Sequence, residues 1–350
     1  MAPIDQEYSM KQEIAEFFKK TSVTRKACDS YAKNYLGGDV TSVVVQGVCS
    51  YTVYAGPHSN YVAQFRLKTC EFRLETMNLA GAIYGHFAPQ VTFMGQIGKD
   101  VEGKEPLSIY FMSRIQGISL LDFILANSRV PENSRKWSTW RHNLVTDPAR
   151  FFSLSWKAPK DIDQNYRDGL RHQYERELLA LHASLPERFH RLIQDCIVTL
   201  PAIFSLPMVL LHREFGVCNI MVNEISCNLF GVVDWAEAEI APFGLNLHSH
   251  QRLISKIDLN KGWIRYPDYF QLEETFWNTL SKEAGGFNNE TLRVIKLARI
   301  AGLLLSCGFT SRLPNMPPPV PIWDDESGAY NIRDLELPLT NPATRFTDLR

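Results

Sequence analysis

Three short apolar runs in the second half of the chain constrain its fold more than any other feature of the sequence. The runs occupy residues 208–211, 220–222 and 229–233. Each is too short for a helix but long enough for a buried strand. The loop after the first run carries Glu214 and Asn219, and Asp234 follows the third run directly. The segment therefore predicts small β-structures whose ends present an acid, an amide and a second acid.

These polar groups are the residue types that phosphoryl transfer requires. An amide oxygen and a carboxylate at neighbouring strand ends, Asn219 and Asp234, can share magnesium ions, which prefer oxygen ligands. A loop carboxylate such as Glu214 can orient or deprotonate an attacking hydroxyl group. The spacing predicts Asn219 and Asp234 as metal ligands and Glu214 as a catalytic group.

The hydrophobic pattern divides the chain into a strand-rich first part and a helix-rich second part. Before residue 115 it predicts helices at 10–19, 27–36 and 71–84 and strands at 43–45, 50–54, 61–67, 91–95 and 107–112. The turn at 56–60 indicates that 50–54 and 61–67 form an antiparallel hairpin. Helical spacing recurs at 120–126, 137–154, 166–185, 188–200, 269–282 and 292–306.

We therefore expect a two-lobed α+β protein. Its predicted parts are an N-terminal helical segment at 1–40, a small antiparallel-sheet lobe at 41–114, a larger helical lobe at 115–312 and a tail at 313–350. The tail is rich in proline and is predicted to be extended.

The composition of the chain limits the kinds of partner that the protein can bind. The formal net charge is -1, so neither sign dominates the field that a nucleic acid or a membrane surface would meet. The seven cysteines lack a CxxC pair, which fits a reducing compartment. No run reaches the roughly 18 apolar residues that span a bilayer. We expect a cytoplasmic protein that binds a small-molecule substrate, without nucleic-acid or membrane partners; the oligomeric state stays open.

The segment from His212 to Trp235 resembles the aminoglycoside phosphotransferase and choline-kinase-like family, especially its fungal members. The family pattern is His-Gly-Asp, four residues and Asn, followed by a strand that ends in Asp-Trp or Asp-Phe. His212, Glu214, Asn219 and Asp234 occupy those places. The resemblance covers roughly residues 40 to 310 and implies a protein-kinase-like fold with a small N-lobe and a larger C-lobe. It implies Mg and ATP as cofactors, with His212 in the catalytic loop.

The same resemblance assigns residues of the small lobe to the nucleotide. They are Ser50 and Tyr51 in the nucleotide-covering loop, Gln64 and Arg66 on the third strand, Glu75 on the helix and Met112 at the hinge. Arg66 lies two residues after Gln64 and hence on the same strand face. Its guanidinium could grip phosphate in a bidentate manner.

Three positions depart from the family pattern. Glu214 stands in place of the catalytic aspartate, and its longer side chain shifts the carboxylate by about 1 Å, a displacement that can cost roughly a hundredfold in rate. Gln64 stands in place of the phosphate-binding lysine and cannot neutralise phosphate. Arg213 replaces a glycine and adds a cation to the catalytic loop, which makes it a third catalytic candidate.

Three functions stay open on these residues. The first is ATP-dependent transfer of a phosphoryl group to a hydroxyl. The second is ATP-independent acid/base chemistry on a natural product, such as cyclisation, dehydration or isomerisation, without a cofactor. The third is a catalytically inactive pseudokinase that binds a partner. A group of aromatic residues either lines an acceptor pocket or packs in the core: Trp137, Trp140, Phe151, Phe152 and Trp156.

Overall fold

The computed structural model describes residues 8–258, 262–310, 312, 317–325 and 328–346. Two compact units make up the chain. One holds the described residues up to Gly81, Pro89–Ile115 and Pro317; the other holds Ala82–Ala88 and the described residues from 116 to 312 and from 318 onward. A sheet dominates the first unit and helices dominate the second, so the predicted α+β class is confirmed.

The first unit is built on an antiparallel sheet. Its strands are β1 (Thr41–Ser42), β2 (Ser50–Ala55), β3 (Tyr61–Leu67), β4 (Val91–Ile97) and β5 (Leu107–Ser113), in the spatial order β1-β2-β3-β5-β4. The predicted β2–β3 hairpin is confirmed. Its turn contains Gly56 at φ +84°, a left-handed conformation that glycine adopts without steric cost.

The strand predicted at 43–45 is wrong. The amide of Val43 still donates to the carbonyl of Thr52 at 3.2 Å, but a side chain replaces the return bond. Gln46 is buried and its Nε2 donates to the carbonyls of Val43 and Thr52, both at 2.9 Å. Its Oε1 accepts from the amide of Thr52 at 2.9 Å. The strand therefore ends at Ser42, and Val44 and Val45 are exposed.

Two helices, α1 (Met10–Lys19) and α2 (Arg25–Leu36), cover one face of this sheet. Ile14 and Phe17 of α1 join the same core cluster as Tyr51 and Phe65 of the sheet. Side chains alternate between the two faces of a strand, so the residues between these core positions point to the other face. A third helix, α3 (Leu74–Tyr84), follows β3.

The second unit is mainly helical. Its helices are α4 (Leu120–Ala126), α5 (Arg135–Trp156), α6 (Gln164–Ser184), α7 (His190–Ile203), α8 (Tyr269–Glu283), α9 (Asn289–Cys307) and α10 (Ala329–Leu339). Trp137, Trp140, Phe151 and Phe152 are at most 5% exposed, so these aromatic residues pack in the core of this unit. No helix within the described residues is long and apolar enough to cross a membrane.

Short strands of the second unit hold the predicted catalytic loop. They are β6 (Ile118–Ser119), β7 (Met208–Leu211), β8 (Ile220–Val222), β9 (Leu229–Val232) and β10 (Glu239–Pro242), with the hairpin β11 (Ser255–Asp258) and β12 (Gly262–Arg265) beyond them. Strand β7 pairs with β10, and β6, β8 and β9 form a three-stranded sheet. The three strands predicted at 208–211, 220–222 and 229–233 are confirmed, the last ending one residue earlier.

The prediction of a wholly extended tail is wrong, because helix α10 forms within it. Ile332, Leu335 and Leu339 are buried and recur at the i, i+3, i+7 spacing of one helix face. The prolines that suggested an extended tail are concentrated at 314–321, ahead of the helix. Trp323 is a large apolar residue of the tail, but it is 63% exposed and is therefore not packed into a core.

Candidate functional site

His212 follows β7 and is fully buried. Its Nε2 donates to the carbonyl of Val233 at 2.9 Å, and its ring stands edge-on to Trp235 with 4.7 Å between the ring centroids. Burial lowers the pKa of His212, although the bond to Val233 and the charge of Asp234 oppose that shift. The neutral imidazole therefore connects the end of β7 to the segment after β9, and it is not exposed to a substrate.

Arg213 pairs with an acid outside the loop. Its Nη1 forms a short ion pair with Oε1 of Glu239, the residue that begins β10, and Glu239 also accepts from the hydroxyl of Tyr174 at 2.9 Å. Burial opposes the charge on Arg213, but the carboxylate of Glu239 and the neighbouring Tyr174 raise the pKa of the guanidinium above its ordinary value. The structure thus places Arg213 in a partly buried ion pair, where it anchors the loop.

The structure brings Glu214, Asn219 and Asp234 together. Nδ2 of Asn219 donates to the carbonyl of Glu214 at 2.9 Å, and the amide of Val233, next to Asp234, donates to the carbonyl of Asn219 at 2.9 Å. Glu214 and Asp234 are exposed. Asp234 has φ +62°, an uncommon conformation for a residue with a side chain and one that clusters at functional sites.

The surroundings of Glu214 favour its protonated form, compared with an isolated glutamate in water. Partial burial and repulsion by Asp234 and Glu237 raise the pKa of Glu214 above its usual 4.5, while Arg213 and Arg252 oppose the shift. A carboxylate with a raised pKa is a stronger base once it is ionised. The arrangement is suited to accepting a proton from a hydroxyl.

The site residues fit magnesium as a partner of bound phosphates. Within the described part of the chain, no three His, Cys, Asp or Glu side chains form a metal-binding group. Asn219 uses its amide nitrogen to bind Glu214, so its Oδ1 is the end available to a cation beside Asp234. Magnesium is commonly held by one or two protein ligands together with substrate phosphates. The two oxygen donors match that requirement.

In the first unit, the sheet face opposite α1 and α2 is polar. Nε2 of Gln64 donates to the hydroxyls of Ser50 and Thr52, both at 3.1 Å. Its Oε1 accepts from Nη1 of Arg66 at 3.3 Å. Met112, 9% exposed, lies on this face because it pairs with Val62 in the sheet register. Ser50, Gln64, Arg66 and Met112 are therefore brought to one surface.

Arg66 is a buried cation on that surface. It is 7% exposed, its Nε donates to the carbonyl of Cys70 at 2.6 Å, and its guanidinium lies 4.1 Å from the ring centroid of Phe72. Within the described residues, no carboxylate lies close enough to form an ion pair with it. An acid on the same face, Glu71, bonds Ser108, the strand neighbour of Arg66, rather than the guanidinium itself. A buried charge without a direct ion pair is costly, so this guanidinium is suited to binding an anion.

Two predicted nucleotide contacts take no part in the hydrogen bonds described on the polar face. Tyr51 is 1% exposed and belongs to the core on the opposite face, because it neighbours Ser50 on a strand whose side chains alternate. Glu75 is exposed, and it forms no ion pair with any residue in the described ranges.

The acid that does reach the polar face is Glu71, which the sequence reasoning missed. Its Oε1 accepts from Nε2 of Gln96 at 2.7 Å and from the hydroxyl of Ser108 in a short bond. Helix α3 begins at Leu74 rather than at the predicted residue 71. Because Glu71 precedes the helix, its side chain is directed by the loop and not by the helix face. If the helix had been predicted to begin after residue 71, Glu71 would have been assigned to the preceding loop and could have been identified.

The sequence from residue 63 to residue 258, more than half of the chain, matches the phosphotransferase enzyme family. Among solved structures, the GDP complex of wild-type aminoglycoside 2′-phosphotransferase-IIIa is 13% identical, with a TM-score of 0.53 over 89% of this chain and 98% of the other. That likeness supports a shared kinase-like fold.

Two further structures have lower TM-scores. An aminoglycoside 3′-phosphotransferase of type VIII is 17% identical, with a TM-score of 0.44 over 77% of this chain and 97% of its own. An aminoglycoside phosphotransferase from Streptomyces rimosus is 12% identical, with a TM-score of 0.43 over 81% of this chain and 99% of its own. By sequence, no curated protein is significantly similar to the chain.

Proposed function

The chain belongs to the phosphotransferase enzyme family, and we propose that it transfers the γ-phosphoryl group of ATP to a hydroxyl group of a small molecule. The similar aminoglycoside 2′-phosphotransferase-IIIa structure is a GDP complex, which supports a nucleotide as the donor. The seven cysteines are all free. Free thiols fit a reducing compartment, so we propose that the protein acts in the cytoplasm.

One observation carries the proposal: Arg66 is a buried cation without a carboxylate partner among the described residues. A phosphate group would supply the missing negative charge, and guanidinium binds phosphate oxygens in a bidentate manner. The neighbouring hydroxyls of Ser50 and Thr52 supply neutral polar contacts on the same face. Arg66 therefore takes the role that the absent lysine at position 64 would have had.

The exposed acids act on the hydroxyl group of the acceptor and on the magnesium ion. Glu214 orients the hydroxyl and accepts its proton at the carboxylate, and its raised pKa increases its basicity. Asn219 and Asp234 would hold magnesium through oxygen atoms. When bound, magnesium would neutralise charge on the transferring phosphoryl group. His212 and Arg213 act indirectly, because they fix the loop from within the unit.

Calorimetry of Mg-ATP binding tests the proposal. The wild-type protein should bind with a micromolar dissociation constant, and Asp234→Ala should abolish that binding because it removes a magnesium ligand. Glu224→Ala, an exposed acid in the β8–β9 loop, is the matched control and should bind like the wild type.

Three outcomes would contradict the proposal. No binding at millimolar nucleotide would remove ATP as the donor. Turnover of a natural product without nucleotide and with a chelator present would identify acid/base chemistry instead. Partner binding that persists in Glu214→Ala, with no reaction by either protein on a panel of hydroxylated acceptors, would identify a pseudokinase.

A further inference from the structure

The hydroxyl group of Tyr8 connects two backbone groups of the loop between β1 and β2. It accepts from the amide of Gln46 at 2.6 Å and donates to the carbonyl of Val44 at 3.1 Å. Backbone donors and acceptors need partners in a folded chain. Because β1 ends at Ser42, neither group has a strand partner, and the tyrosine hydroxyl supplies both bonds.

Helix α1 holds Tyr8 in place. The amide of Glu13 donates to the carbonyl of Ser9 at 3.0 Å, so Tyr8 directly precedes the first turn of the helix. Ile14 and Phe17 of the same helix are buried in the core of the first unit. The side chain of Tyr8 therefore starts from a packed helix, and its two bonds restrain the loop.

Hydrogen bonds, and not packing, fix this loop. The side chain of Gln46 attaches it to Thr52 of β2, while the backbone amide of Gln46 binds Tyr8. Val44 and Val45 are 75% and 70% exposed, so the loop gains little from apolar burial. A segment with few buried contacts opens easily when its hydrogen bonds are removed. The bond to Tyr8 is thus one of the few restraints on the loop.

The loop continues from Gln46 into a turn that carries free backbone donors. The amide of Ser50 bonds back to the carbonyl of Gly47 at 3.5 Å, and the amides of residues 47–49 donate to no acceptor in the described part of the chain. The hydroxyl of Ser50 accepts from Gln64 on the polar face of the sheet. Successive N–H groups in a turn form concave sites for anions. The position of residue 46 therefore determines where these donors lie beside the polar face.

We propose that Tyr8 is a positioning residue for the nucleotide. Its hydroxyl holds the loop at 43–49 in the place from which the backbone donors of the loop reach the phosphates. The inference rests on the proposed phosphotransferase function and adds to it a residue that lies outside the polar face and acts through the loop.

Tyr8→Phe tests this role in the full-length chain, because it removes only the hydroxyl. Hydrogen exchange measured by mass spectrometry should show about one additional fast-exchanging amide in the peptide that contains the loop, that of Gln46. Calorimetry should show that Mg-ATP binds about three- to tenfold more weakly, as expected for the net loss of about one neutral hydrogen bond. The affinity for adenosine, which has no phosphates, should stay unchanged.

Tyr61→Phe is the matched control. Tyr61 is 43% exposed, compared with 47% for Tyr8, and it begins β3 at the end remote from Arg66. Its substitution removes a tyrosine hydroxyl away from the loop. It should change neither the exchange of the loop amides nor the affinity for Mg-ATP.

Failure of this inference and failure of the proposed function give different results. If the wild type binds Mg-ATP and Tyr8→Phe binds it within about twofold, the positioning role is refuted while the proposed function stands. If Tyr8→Phe weakens Mg-ATP and adenosine equally, Tyr8 has only a structural role and the inference is overturned. If the wild type does not bind Mg-ATP, both proposals fail, and the exchange of the Gln46 amide still shows whether the hydroxyl restrains the loop.

Discussion

Replacing Arg66 with methionine separates a ligand-binding cation from a structural one. The substitution keeps a long apolar stem in the buried position and removes the charge. If the guanidinium is held in place for a phosphate group, its loss should weaken Mg-ATP binding while the fold keeps its stability. If the guanidinium is structural, its loss should lower the stability of the fold and leave Mg-ATP binding unchanged.

The magnitudes follow from the contacts of Arg66. The variant loses two hydrogen bonds, a short one to Cys70 at 2.6 Å and a longer one to Gln64 at 3.3 Å, together worth about 1.5–3 kcal/mol. It also loses a contact with the Phe72 ring, worth about 1 kcal/mol. It also removes a buried charge whose desolvation costs several kcal/mol. We therefore expect the free energy of unfolding to change by no more than about 1 kcal/mol. Loss of a charged contact to phosphate should weaken Mg-ATP binding by about 10- to 100-fold.

Arg299→Met is the matched control for a buried arginine that does have a counter-charge. Arg299 lies 3.0 Å from Glu273, and the two side chains are 2% and 8% exposed. Removing the cation leaves Glu273 buried without its partner, which should cost about 3–5 kcal/mol. Urea unfolding of both variants measures stability, and calorimetry measures Mg-ATP affinity. A loss of about 3 kcal/mol or more in Arg66→Met with unchanged Mg-ATP binding would refute the phosphate-binding role.

Four further variants test the loop, the packing and the buried histidines. Glu214→Gln should lower the turnover number at least about a hundredfold. Because the pKa of Glu214 is raised in the folded protein, ionisation of this carboxyl group opposes folding. The substitution should therefore raise the melting temperature more at about pH 8 than at about pH 4. Gly302→Ala should destabilise the protein by about 3 kcal/mol or more, because its Cβ would lie 1.7 Å from a backbone carbonyl oxygen. Gly169→Ala, within α6 and open to solvent, should stabilise it by about 1 kcal/mol, and urea unfolding compares the two. His248 and His250 have pKa values of about 3 because they are buried, so the pair should lower stability by about 3 kcal/mol between about pH 7.5 and about pH 5.5 as the unfolded chain takes up protons. The lowered pKa of His212 acts in the same direction. Urea titrations at both pH values should show that His250→Gln removes about 1.4 kcal/mol of the total loss.

The parts of the fold that sequence reasoning predicted depend on local patterns. The hairpin of β2 and β3 and the short strands around the catalytic loop follow from apolar runs between turn residues, and the structure confirms them. The strand predicted at 43–45 failed because the side chain of Gln46 pairs with the backbone. No periodicity in the sequence reports such a bond.

The sequence predicted which residues form the site, but it predicted only partly where those residues lie in the fold. Glu214, Asn219 and Asp234 come together because short strands fix both ends of their loops. Tyr51 was misplaced although the rule that places it was available, since alternation along a strand puts neighbours on opposite faces. Arg213 could not be placed, because its partner Glu239 is brought to it by the pairing of β10 with β7.

The glutamine at position 64 and the arginine at position 66 are in direct contact, so a change at one position affects the other. Oε1 of Gln64 accepts from Nη1 of Arg66 at 3.3 Å, so a lysine at position 64 would place a second cation beside the buried guanidinium. Like charges at that separation repel each other strongly in a buried environment. Gln64→Lys should therefore restore the family residue yet lower stability, whereas the double variant Gln64→Lys with Arg66→Ser should recover it and retain Mg-ATP binding. Calorimetry and urea unfolding of the three proteins would decide this, and a Gln64→Lys variant with improved Mg-ATP binding and unchanged stability would show that the two positions act independently.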